Sequence, residues 1–295
     1  MKACSTCIAC LLNKQEQNIR SFPDEEKKSA YLHDVLKVLY DNGLEHSAPR
    51  LHMEIEEVYA KYYEPTVDWP AVKRKFNLFM LSKEPVIEEN IRKSDDLIAA
   101  AIKYACAGNY IDFGAMSVVD ESTLDDLLAK AESDTVPEDE LALFKEDLAK
   151  AKKLVYLTDN CGEVVLDKLF IKILKELYPE LEITAILRGK IALNDATLED
   201  AQDIGLTELV PCIGNGCGMT GMDISMITDE ALEKIKEADV ILSKGQGNFE
   251  GMHGSHFNTY FLFLCKCELF VRRFGLKQFT SVFSREDHIQ LVENI

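Results

Sequence analysis

Asp159 and Asn160 close a short apolar run in "YLTDNCGEVVLD" (residues 156–167), and Glu163 and Asp167 follow one helical turn apart. Hard oxygen donors of this kind suit Mg2+, Mn2+ or a similar divalent ion, not a thiolate-loving one. Two further segments carry matching chemistry: "RGKIALNDAT" (188–197) supplies Arg188 and Asp195, and "SKGQGNFE" (243–250) supplies Lys244. Arg188 and Lys244 bring the positive charge that phosphate oxygens require, and the N–H groups opening a helix after Gly162 add an anion-friendly patch. A metal beside a phosphate-binding lysine points to phosphoryl hydrolysis, because the ion polarises the P–O bond and lowers the pKa of its bound water. Each piece alone has a plainer reading. An Asp-Asn pair after a strand makes an Asx turn or a cap, Asp195 before "ATLEDA" makes an N-cap, Arg188-Gly189 a strand exit and Lys244 a solvated turn. Taken together, they favour the site.

The surrounding pattern explains how such residues could meet. From about Ser21 to Ala107 the apolar positions recur at helical spacing, with breaks at "NG", Pro23, Pro65 and Gly108, and residues 122–151 continue helical. The pattern changes at Lys153: "LVYLTD", "EITAILRG", "LTELVP" and "DVILSKG" are β-branched-rich runs separated by helical segments. "FNTYFLFLCKCELFVRRFG" supplies a further strand and helix. This alternation predicts an α/β fold, an open, mostly parallel sheet with flanking helices preceded by an all-α domain. The expected division is a helical domain at 1–150 and an α/β domain at 151–295. In such sheets ligands sit at the carboxyl ends of the strands, and the polar segments above fall at that edge.

Composition narrows the function. The 295 residues carry 33 Lys+Arg against 51 Asp+Glu, a formal charge of −18, so a nucleic-acid partner is not expected and anionic membranes would be repelled. No apolar run approaches the ~20 residues of a membrane helix, and no secretory signal pattern is present. Nine cysteines, an odd number, fit free thiols or metal ligands in a reducing cytoplasm. Oligomeric state is not readable.

"LTDNCGE", "LRGKIALNDAT", "SKGQGNFE" and "AGNYIDFG" (107–114), with an N-terminal Cys-x-x-Cys, occur in this order in the DUF89 family, also described as the damage-control phosphatases. The chain resembles its short prokaryotic branch along essentially its whole length. The resemblance implies a helical domain on an α/β domain and metal-dependent phosphatase activity on small phosphorylated metabolites, with Mn2+, Mg2+, Co2+ or Ni2+ as cofactor. It implies Asp159, Asn160 and Asp195 as metal ligands and catalytic residues, and Lys244 as the catalytic phosphate contact. Asn109 and Asp112 match "GNxID", which brings the helical domain to the pocket. With Arg188 and Glu163, they complete the expected substrate-binding set. Cys161 takes a position held by alanine in many members, and a thiol there implies sensitivity to oxidation.

Other motifs compete for attention. "CSTCIAC" offers Cys4, Cys7 and Cys10, with Cys7 and Cys10 expected as a second soft-metal or redox site; "CKC" (265–267) completes a zinc set only if the two ends meet. The rival reading is therefore a thiol-based metal-binding or metabolite-sensing protein. "GNGCGMTG" (214–221) has G-x-G-x-x-G spacing but lacks an immediate helix, and reads as a substrate-side loop, not a dinucleotide fingerprint. His253 and His256 lie near Lys244 in sequence and read as loop residues.

Overall fold

Aspartates at the starts of several helices explain much of the first half of the chain. The computed structural model describes residues 1–111 and 121–292. Its opening helices are α1 (Ser5–Ile19), α2 (Glu25–Asn42), α3 (Ala48–Tyr62), α4 (Trp69–Lys93), α5 (Leu97–Gly108), α6 (Glu121–Ala131) and α7 (Glu138–Lys150). Asp24, Asp68 and Asp96 precede α2, α4 and α5, and each accepts the N–H three residues on, the bond that satisfies an orphaned donor of the first turn.

The second half forms a six-stranded sheet. Its strands are β1 (Lys153–Leu157), β2 (Glu182–Leu187), β3 (Cys212–Gly214), β4 (Val240–Lys244), β5 (Thr259–Leu264) and β6 (Ser281–Arg285). The intervening helices are α8 (Glu163–Leu177), α9 (Leu198–Asp203), α10 (Asp229–Glu237), α11 (Gln246–Met252) and α12 (Glu268–Phe274). The order is β3-β2-β1-β4-β5-β6, with only β6 antiparallel to its neighbour. The mostly parallel α/β sheet expected from the sequence is therefore present. One expected strand moves: "LTELVP" contains a short 3-10 turn, Leu206–Glu208, and the strand begins at Cys212. Pro211, which has no N–H to donate, immediately precedes that strand.

Alternation places the two faces of the sheet in different cores. Leu154, Tyr156, Tyr260 and Leu262 pack with α4, α5, α7 and α8, whereas Val155, Leu157, Phe261 and Phe263 pack with α10, α11 and α12. Both faces are covered, as a parallel sheet requires. In chain order the all-helical stretch ends at Lys150, but α4, α5 and α7 share the sheet's core, while α1, α2 and α3 form their own cluster around Tyr31, Leu51 and Ile55. The chain runs to β2 on one side of β1, and β4 lies on its other side. That reversal puts the switch point of the strand order between β1 and β4, and open α/β sheets take ligands at the carboxyl ends of the strands near such a point.

Candidate active site

Asp159 and Asp195 are set beside one another by backbone pairing. Beyond β1 the chain is stitched to the loop leaving β2: Ala196 N–H donates to the Asp159 carbonyl at 2.7 Å, and Cys161 N–H to the Asn194 carbonyl at 2.8 Å. Short bridges join Asn160 with Asp195 and Arg188 with Thr197. Thr197 and Asp200 form the capping box that starts α9, so Asp195 is not the cap of that helix.

A buried guanidinium joins the two acids. Arg188 donates from Nε to Asp195 Oδ2 at 2.6 Å and from Nη2 to Asp159 Oδ1 at 3.3 Å, while its Nη1 has no hydrogen-bond partner among the described residues. Asn160 donates from Nδ2 to Asp159 Oδ2 at 2.7 Å and to Glu163 Oε2 at 2.9 Å; its Oδ1 accepts from Asn194. Asn109, just past α5, reaches the same group, donating to Asp159 Oδ2 at 3.0 Å and to both Glu163 oxygens. Asp112, expected beside it, lies outside the described residues.

Lys244 sits behind this layer. Its Nζ donates to Glu163 Oε1 at 2.6 Å, to Asp167 Oδ1 at 2.7 Å and to the Ala105 carbonyl at 3.1 Å. Three ammonium donors are thus matched by three acceptors, in a side chain with no exposed surface. The ammonium expected from the sequence to meet a phosphate is thus fully bonded within the protein. Glu163, also fully buried, is likewise bonded to Lys244, Asn109 and Asn160. A different lysine comes forward. Lys266, just past β5, is buried and close enough for its charge to act on Asp159.

Electrostatics follow from this crowding. Burial, reinforced by Asp195 and Glu163, holds the Asp159 carboxyl well above the usual range against the pull of Lys266 and Arg188. Burial pushes Asp167 up to about 6, with Lys244 opposing it. Burial alone would lower Lys244, but Asp167 and Glu163 more than offset it and hold its ammonium above the ordinary value. Asp159, Glu163, Asp167 and Asp195 lie with Arg188, Lys244 and Lys266, all buried. The oxygens of Asp159, Asn160 and Asp195 are hard donors of the kind that fit a divalent cation. Among the described residues, no group of three or more His, Cys, Asp or Glu is arranged to hold a metal, so any ligand set here depends on Asn160.

The support comes from α4. Asn77 accepts the Gly162 N–H at 2.6 Å and donates to Asp200 at 2.8 Å, and Lys73 pairs with Asp200 at 2.6 Å. Gly162 has φ +72°, and a Cβ there would meet Ile111 at 2.7 Å, so the turn into α8 demands glycine.

The family model described as the damage-control phosphatase ARMT1-like domain matches residues 3–282. The chain belongs to this family. It is 31% identical over 286 residues to a damage-control phosphatase of Archaeoglobus fulgidus, covering 94% of this chain and 96% of that one. A damage-control phosphatase of Pyrococcus horikoshii is 33% identical over 196 residues, 63% of this chain and 67% of that one. The crystal structure of a DUF89-family protein from Pyrococcus horikoshii superposes with a TM-score of 0.81 at 27% identity, covering 97% of this chain and 99% of the other.

The family resemblance noted in the sequence is thus shown, and the structure brings Asp159, Asn160, Asp195, Arg188 and Asn109 together. Cys161 is fully buried, and burial holds its thiol well above the ordinary value, which works against the oxidation sensitivity expected of a thiol there. Cys7 pairs with Cys4, their sulfurs 3.7 Å apart, whereas Cys10 is exposed. The "GNGCGMTG" loop reaches the same sheet edge: Asn215 accepts the Gly189 N–H, and Lys190 N–H donates to the Cys217 carbonyl. Its next helix begins only at Asp229. His253 stacks on Phe249 at 4.7 Å. Sequence reading missed Lys266, Asn77, Lys73 and the pairing role of Asp167. The only signal for Lys266 was its place immediately beyond a strand; the others read as ordinary helix residues. Among the described residues, no helix is long and apolar enough to cross a membrane.

Proposed function

We propose that the chain is a divalent-metal-dependent phosphatase acting on small phosphorylated metabolites, sugar phosphates or damaged phosphometabolites; the name damage-control phosphatase borne by its relatives supports the phosphatase part of that reading. The observation that carries this reading is the convergence of Asp159, Asn160, Asp195 and Arg188 beyond the carboxyl ends of β1 and β2. Asp159, Asn160 and Asp195 would hold Mg2+, Mn2+, Co2+ or Ni2+. Bound there, such an ion supplies Lewis acidity and a nucleophile at neutral pH.

The chain's own residues do the rest. Arg188 keeps Nη1 available for a phosphoryl oxygen while its other nitrogens fix the two acids. Lys266 adds positive charge near Asp159. Asn109 and Glu163 hold Asp159 and Asn160 in place, and Lys244 neutralises Glu163 and Asp167 beneath them. A phosphoryl transfer to Asp159 itself is less well served, because the position two residues on is the buried Cys161 and not a second acid. Asp159 therefore acts as ligand and proton acceptor.

The test is phosphate release from a panel of sugar phosphates and p-nitrophenyl phosphate under chelator, Mg2+, Mn2+, Co2+ and Ni2+, with D159N alongside. Release that requires a metal and falls to background in D159N is expected. Hydrolysis indifferent to chelator, or unchanged in D159N, would overturn the assignment.

A further inference from the structure

The sequence left its N-terminal cysteines without a role, and the structure gives two of them a specific arrangement. Cys4 is the N-cap residue of α1, and Cys7 lies one turn into the helix. Their sulfurs are 3.7 Å apart, in hydrogen-bonding contact, and both residues are partly exposed. A one-turn i,i+3 spacing at a helix start brings the two thiols to one side of the helix end, where the backbone N–H groups favour negative charge on the first.

The two thiols differ chemically. Burial pushes Cys4 up, but the N–H groups of Cys7 and Thr6 and the Cys7 thiol more than offset it, so Cys4 lies below the ordinary thiol value. Burial, opposed by contact with the Cys4 backbone and reinforced by Glu250, pushes Cys7 up to about 12. Cys4 is therefore the more acidic of the two thiols. Cys10 stands apart, exposed on the solvent side of α1. A soft-metal site would need further ligands. Cys7 and Cys267 both sit near Glu250, but among the described residues no group of three metal-holding side chains is assembled.

We propose that Cys4 and Cys7 form a redox-active dithiol that exchanges with low-molecular-weight disulfides of the glutathione type. The Cys4 thiolate attacks one sulfur of the small disulfide, forming a mixed disulfide and expelling one small thiolate. Cys7 then gives up its proton, its sulfur attacks the Cys4 sulfur, and the second small thiolate leaves. The Cys4–Cys7 bond forms, the small disulfide is reduced to two thiols, and the two protons of the dithiol end on those thiols. The centre lies outside the residues assigned to hydrolysis, so it stands whether or not the phosphatase reading does.

The experiment treats the full chain with oxidised glutathione, quenches with an alkylating agent, and reads intact mass and fragmentation of the peptide carrying Cys4, Cys7 and Cys10. Loss of two hydrogens with the bond placed between Cys4 and Cys7 is expected. C10S should leave the rate unchanged, C7S should accumulate glutathione on Cys4, and C4S should react at least about tenfold more slowly at Cys7, as the loss of the thiolate requires. A bond mapped to Cys7–Cys10, equal rates in C4S and wild type, or zinc retained stoichiometrically by Cys4 and Cys7 would each overturn the proposal.

Discussion

Asn109 donates through one amide nitrogen to Asp159, 50 residues away, and to Glu163, 54 residues away. Its carbonyl oxygen accepts the Leu264 N–H of β5 at 3.0 Å, so a helix end, two acids and a strand are tied at one side chain. Asn109→Ala takes one donor from each of two buried acids and the acceptor from the buried Leu264 N–H, at about 1–3 kcal/mol. The expected outcome is a lowered urea midpoint together with a kcat loss for phosphate release. Asn109→Asp should be worse in both, because it sets a further carboxylate against two others. Equal stability of the two variants would contradict the assignment.

Lys244 is the buried counter-charge of Glu163 and Asp167. Lys244→Met strands two buried acids and should cost about 3–5 kcal/mol in urea unfolding. Combining it with Glu163→Gln and Asp167→Asn should recover part of that loss, since members of one network do not add. Additive costs across the three substitutions would show that the ion pairs are independent.

Gly245 has φ +82°, and a Cβ there would stand 2.0 Å from Asp159 Oδ2. Gly245→Ala must therefore strain the backbone, at about 1–3 kcal/mol, or move the Asp159 carboxylate. Displacement of Asp159 predicts weaker Mn2+ binding by calorimetry in a variant whose circular dichroism is unchanged. Wild-type affinity would mean that the carboxylate does not need its present position.

Glu250 gives a pH signature. Burial, against the pull of the N-terminus and Arg273, pushes its carboxyl from 4.5 up to about 7. Folding takes up a proton, so the stability linked to this group is fully present below 4.5 and is lost as pH rises through about 7. With the side chain half-buried and partly screened, the effect is about 1–2 kcal/mol. Glu250→Gln should flatten the urea midpoint across that window. An unaltered slope would place the titration elsewhere.

Much of the site was legible because strand exits advertise themselves. Asp159, Arg188 and Lys244 each end or follow a β-branched run, and a parallel sheet sends such ends to one edge. Proximity was therefore readable, but depth was not. Nothing in "SKGQGNFE" says that Lys244 points beneath Glu163, because that depends on Asp167 one turn further along α8. Lys73 and Asn77 read as polar positions of an amphipathic helix, yet both are buried against Asp200. Their partners lie 85 residues or more away in sequence, beyond the reach of periodicity. "LTELVP" misled because apolar residues in a short 3-10 turn carry the same composition as a strand.

The contacts of α4 also set the smallest fragment that could retain the site. A chain cut at the first strand would keep every expected metal ligand and still lose Asn77, Lys73 and Asn109. The Gly162 N–H would have no acceptor, Asp200 no cation, and Asp159 one donor fewer. Any minimal catalytic unit must therefore begin no later than Trp69, so excision at the helix–sheet border yields a sheet with its ligands present and their bracing removed.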